Sequence, residues 1–113
     1  VIFVVPYIQI ERAIVYERRG SDTVLFASED FSSIEVKHMT PLTPTRGFSD
    51  FKFLPGSEDR VIVALKSEEN EEQQTQNTYI TVFDVDGKVL MEETEIPGGM
   101  KFEGIEFVYW CVC

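Results

Sequence analysis

Apolar residues in this chain come in short runs, and most of the runs predict strands. Residues 1–5, VIFVV, are β-branched and aromatic, as a buried strand requires, and Pro6 closes them. Residues 7–19 show no period or cap that settles their structure. Residues 23–27, TVLFA, are a second apolar run, and 34–39, IEVKHM, alternate as a half-exposed strand does. TPLTPT at 40–45 is an extended linker and the best boundary between two structural units. Four further runs follow: FSDFKF at 48–53, RVIVALK at 60–66, TYITVFDV at 78–85, and 88–96, which begins apolar and ends acidic. SEENEEQQTQN at 67–77 reads as a polar loop. Asp86-Gly87 predicts a hairpin with a type I′ turn.

RVIVALK is apolar on both faces, so both faces need cover, while the acid-rich last run suits an outer strand that resists edge pairing. Four antiparallel strands covered on both sides describe a propeller blade. An immunoglobulin-like sandwich or a small barrel are the alternatives, but a sandwich would alternate on every strand. A repeat supports the blade: FSDFKF aligns with FEGIEF when Phe48 is set on Phe102, 54 positions on. Blade repeats run to roughly 40 to 50 residues. The organisation expected is a partial blade plus an irregular segment at 1–46, a complete four-stranded blade at 47–100, and the first strand of the next blade plus an atypical tail at 101–113. That makes about two blades of an all-β propeller, where closure needs four or more. A fragment, or a chain closed by partners, is therefore expected, and a chain that begins at Val1 fits a processed product or a fragment.

Composition narrows the partners. Among 113 residues, 43% are apolar and nine are Phe, which is globular composition. The net charge of −10 repels nucleic acid. The apolar opening is too short to span a bilayer and lacks the basic start and cleavage site of a signal peptide, so no stable membrane insertion is expected from this segment. Cys111 and Cys113, the two cysteines, close too small a ring for a structural disulfide.

Few residues carry recognisable chemistry. Asp84-Val85-Asp86-Gly87 begins like a calcium loop, but Lys88 breaks the ligand pattern, so a hairpin explains it better. His38, the single histidine, lies in an alternating strand and reads as solvent-facing. The acids at 68–72 read as a solvated loop. Ser49 and Glu103 differ, because they fill one slot in the two repeat copies. Strand parity sets Ser49 beside Phe51 and Phe53, and Glu103 beside Ile105 and Phe107. A carboxylate aimed into a propeller channel needs compensation for its charge, and oxygens from several blades could supply a Ca²⁺ site. A carboxylate reaching solvent at a strand end explains the spacing equally well.

ERRGSDTVLFASEDFSSIEV at 17–36, PTRGFSDFKFLPGSEDRVIVALKSEE at 44–69, and FDVDGKVLMEETEI with KFEGIEF at 83–107 resemble the carboxy-terminal portion of the calcium-activated nucleotidase (apyrase) family. The resemblance implies a five-bladed β-propeller. It implies Ca²⁺-dependent hydrolysis of nucleoside di- and triphosphates of the UDP, GDP and ADP class to monophosphate and phosphate, in a secreted protein or one of the ER or Golgi lumen. It also implies one Ca²⁺ in the central tunnel, with Ser49 offering its backbone carbonyl and Glu103 its carboxylate. The remaining ligands belong to the missing blades of the parent chain, so this segment alone is expected to be inactive. No catalytic residue is assigned. The chain departs from the family pattern at 6–16, where a Pro-Arg-Arg run is absent, at Arg46, where a histidine is common, and in the tail VYWCVC at 108–113. The missing arginines favour the alternative of a non-catalytic, calcium-binding propeller fragment that acts as a binding surface.

Overall fold

Two antiparallel sheets follow one another along the chain. The computed structural model describes residues 2–4, 23–28, 30–39, 43, 45–70 and 72–108. The first sheet is β1 (Ile2–Val4), β2 (Thr23–Ala27) and β3 (Ile34–His38), in that order. The second is a meander of β4 (Gly47–Phe53), β5 (Val61–Asn70), β6 (Thr75–Asp84) and β7 (Val89–Ile96). The described residues contain no helix, and so none long and apolar enough to cross a membrane. The described residues are all-β, and the four expected strands after the linker are present in the expected order. The irregular stretch at 7–19, part of the linker at 40–45, and Cys111 and Cys113 lie outside the described residues.

Register explains why the middle strands are apolar on both sides. Paired residues share a face, and β5 pairs Ile62 with Phe83, Ala64 with Thr81 and Lys66 with Tyr79 across β6. On this face Phe48, Ile62, Ala64 and Phe83 meet Val24 of the first sheet and Met39, just past β3, in one core. The Phe48 and Phe83 rings lie 6.2 Å apart. On the opposite face Val63, Leu65 and Thr78 are also buried, and residues 100–105 run past it, hydrogen-bonded to Thr78 and Asp50.

Four expectations change. The ladder continues through the acidic stretch, pairing Glu68 with Asn77, Glu69 with Gln76 and Asn70 with Thr75, so seven of the eleven residues of the predicted loop at 67–77 are strand. Polar side chains do not stop a hairpin from extending into solvent, because its bonds are made by the backbone. The turn after β6 is not type I′, which needs positive φ at both central residues. Here Gly87 is at φ 93 while Asp86 is not in that region. The Asp84 carboxylate accepts from the backbone N–H of Asp86 at 3.0 Å and of Lys88 at 2.9 Å, which favours the wider loop. Parity also fails at Ser49. The register of β4 on β5 shifts between Phe48 and Asp50, so Ser49 is the extra residue of a β-bulge. Beyond the bulge, Phe51 pairs with Ala64 and Phe53 with Ile62 on the Phe48 side. Finally, residues 101–108 form no strand. A strand exists through its ladder, and no described strand pairs with this segment.

Candidate metal centre

Ser49 and Glu103 come from segments that touch. The Ser49 hydroxyl donates to the Phe102 carbonyl at 3.2 Å, one residue before Glu103. Next to it the Asp50 carboxylate accepts the Ile105 N–H at 3.0 Å. Thr78, fully buried, donates to the Met100 carbonyl at 2.7 Å and accepts the Phe102 N–H at 2.8 Å. The bulge in β4 thus faces the stretch that carries Glu103, and residues on both sides of that glutamate are bonded to the sheet.

The Glu103 side chain itself is 71% exposed and pairs with Lys101 at 3.2 Å. Lys101 reaches Glu69 as well, at 2.7 Å. The Glu69 bond raises the Lys101 pKa, partial burial opposes the rise, and Glu103 adds to it. Glu103 therefore sits at an open edge, its charge balanced by a lysine that a second carboxylate holds. Among the described residues no three His, Cys, Asp or Glu side chains converge into a cluster that could hold a metal. What this chain brings together is the bulge at Ser49 and the backbone just before Glu103, whose carboxylate stays on the exposed side with Lys101. The donors of Ser49 and Glu103 are all oxygen, which suits a hard cation such as Ca²⁺.

The readings that set aside other candidates agree with the structure. Asp86 is exposed and pairs with Arg60 at 2.9 Å, while Asp84 serves its own turn. His38 is exposed on β3. The acidic stretch, however, is not simply solvated. Glu68 takes the Thr45 hydroxyl and lies 3.5 Å from the Arg46 guanidinium, and Glu69 holds Lys101.

Sequence reasoning missed a buried ionic cluster on the core face. Lys66 is 0% exposed, with its ammonium 2.6 Å from Glu93 and 4.8 Å from the Phe48 ring centroid. Glu93 also accepts from Arg46 at 3.0 Å and from Thr43 at 3.2 Å. The Arg46 guanidinium stacks 3.6 Å over the Tyr79 ring. Burial alone would push the Glu93 carboxyl up, but the Lys66 and Arg46 bonds and charges outweigh it and hold it below the usual range. Burial likewise works against the Arg46 charge, and Glu93, Tyr79 and Glu68 together raise its pKa nonetheless. A cleft of about 280 Å³ beside the cluster is lined by Arg46, Thr81, Val89, Glu92 and Glu93. A lysine ending an apolar run was the available signal; nothing in the spacing linked it to Glu93, 27 positions on.

Residues 13–108 match the family model described as Apyrase. The chain is 49% identical over 92 residues to the soluble calcium-activated nucleotidase 1 of Rattus norvegicus, covering 81% of this chain and 22% of that protein. It is 43% identical over 94 residues to an apyrase of Cimex lectularius, covering 82% of this chain and 25% of the relative. An apyrase of Phlebotomus duboscqi is 46% identical over 92 residues, 79% of this chain and 26% of the relative. The chain thus spans about a quarter of the length of the relatives it matches.

Proposed function

The chain belongs to the apyrase family, and from that premise we propose that it is part of a calcium-dependent enzyme that hydrolyses nucleoside di- and triphosphates. The products are the monophosphate and phosphate, and the substrates are of the UDP, GDP and ADP class. The whole protein is a five-bladed propeller of the secretory pathway, secreted or held in the ER or Golgi lumen, and this chain holds about two of its blades. The four-stranded meander β4–β7, whose middle strands β5 and β6 bury residues on both faces, supports the blade, and the names of the relatives support the activity.

Ser49, through its backbone carbonyl, and Glu103, through its carboxylate, hold the Ca²⁺. The observation that carries this assignment is the 3.2 Å bond from the Ser49 hydroxyl to the Phe102 carbonyl, which draws the two segments together. The ion supplies charge neutralisation at the phosphates and orientation of the attacking water. Calcium takes about six to eight oxygen ligands, so two residues leave most positions to other parts of the protein. On this reading phosphate release needs the other blades. A bridging cation also lets a chain of net charge −10 accept an anionic nucleotide. The Lys101 ammonium lies 3.2 Å from the Glu103 carboxylate and holds it near the Glu69 end of β5 before the ion binds.

Glu103→Gln in the intact protein tests the assignment. It removes a charge from the ion and leaves the shape of the side chain. Phosphate release from UDP and ADP, followed across a calcium titration, should need roughly tenfold more calcium or more. An unchanged calcium dependence would remove Glu103 from the site.

A further inference from the structure

We infer that Thr78 and Asp50 are positioning residues that set Glu103 for calcium, an inference that rests on the calcium reading above. Residues 101–108 lack a strand ladder, so the ordinary means of holding a backbone beside a sheet is absent there. Side chains supply the substitute. Thr78 takes the Met100 carbonyl and the Phe102 N–H, and Asp50 takes the Ile105 N–H. Glu103 lies between these anchor points. The backbone in between has no stiffness of its own, because Gly104 follows Glu103 and glycine is the most permissive residue. A Cβ at Gly104 would meet nothing within 4 Å, so no packing locks the position either. These backbone anchors, with the ion pair from Lys101, therefore limit where the carboxylate can go.

Thr78 is suited to this. It is 0% exposed on β6, opposite Ser67, and its one hydroxyl serves both a donor and an acceptor of the segment. Valine has the same shape without the hydroxyl, and would leave a carbonyl and an N–H of the segment without those partners. Outer-shell residues of this kind orient a ligand without touching the metal.

Calcium binding to the intact protein, measured by calorimetry with the metal alone, tests this without depending on turnover. Thr78→Val should weaken calcium binding about ten- to a hundredfold, while Thr78→Ser, which keeps the hydroxyl, should stay near the parent. Asp50→Ala should weaken binding in the same direction. Its side chain is only half-buried, so it reports even if Thr78→Val disturbs the sheet, which thermal unfolding without calcium reveals. Unchanged binding in both Thr78→Val and Asp50→Ala overturns the inference, as does a serine variant as weak as the valine one. Glu103→Gln separates the two levels. If it weakens binding while Thr78→Val and Asp50→Ala do not, only the positioning role falls. If it leaves binding unchanged, the calcium reading falls and the positioning role with it.

Discussion

Glu93→Ala should be among the costliest substitutions in the chain, and more costly than removal of its partner. Lys66 is fully buried and its ammonium sits 2.6 Å from Glu93, which is itself only 10% exposed. Breaking a buried pair from one side costs about 3 to 5 kcal/mol, because a charge is left in a poor solvent. Alanine also removes the acceptor used by Arg46 and Thr43. The ring of Phe48 still faces the ammonium, so the low end of the range, about 3 kcal/mol, is expected. Lys66→Met removes the buried charge and keeps the length that packs on Phe48. It leaves Glu93 with the Arg46 bond at 3.0 Å, and the expected cost is about 1 kcal/mol. The double variant should be more stable than Glu93→Ala alone. Urea unfolding of the intact protein, with slopes compared as well as midpoints, reads these differences. Equal costs for the two single variants, or a Glu93→Ala cost under about 1 kcal/mol, would show that the cluster behaves as a surface pair and that its burial is irrelevant.

The same cluster sets a pH dependence with a definite sign. Burial pushes the Glu93 carboxyl up, and the Lys66 and Arg46 contacts more than reverse this, so its folded pKa lies below the unfolded one. A depressed carboxylate pKa gives stability that is present above the unfolded value, about pH 4.3, and is lost as pH falls through the folded value beneath it. Glu93→Gln should flatten the acid limb of the stability curve in that window.

Two further outcomes rest on packing and backbone. Phe48→Ala should cost about 3 to 5 kcal/mol in the same unfolding assay, since Phe48 is 1% exposed, joins both sheets in one core and packs tilted against the Phe83 ring. Gly104→Ala should be neutral, or stabilising by about 0.4 to 1 kcal/mol in thermal unfolding, because the site is open and its φ lies outside the left-handed region.

Strand order was legible because it depends on apolar runs and turn residues, and both are local. RVIVALK could only be a strand covered on two sides, and the register of β5 between β4 and β6 puts Ile62 and Ala64 on one face and Val63 and Leu65 on the other. The errors fall where a bond or an extra residue leaves no local mark. SEENEEQQTQN is polar enough for a loop, yet backbone pairing carries both arms outward. Asp86-Gly87 signals a turn but not its type, which the Asp84 side chain decides. Strand parity assigns Ser49 a face, and one inserted residue cancels the assignment. The repeat singled out Ser49 and Glu103 as candidates, whereas nothing in the sequence pointed to the bonds that Asp50 and Thr78 make to residues 100–105. Asp50 serves a backbone 55 positions away and Thr78 one 24 positions away, so no spacing rule connects them to Glu103.

The two copies of the motif hold Ser49 and Glu103 by different means. GFSDFKF lies in a seven-residue strand laddered to β5, and its bulge re-aims one residue within a frame that the ladder otherwise fixes. KFEGIEF has no ladder, and its course depends on three side chains of the other segment and of β6. A likeness of sequence therefore does not imply a likeness of rigidity. The serine side of the site is set when the sheet folds. The glutamate side is set by hydrogen bonds that can be removed one at a time without undoing a strand. If the two residues share one ion, its affinity should respond more to the bonds that hold residues 100–105 than to substitutions elsewhere in β4, because only the former have freedom left to lose.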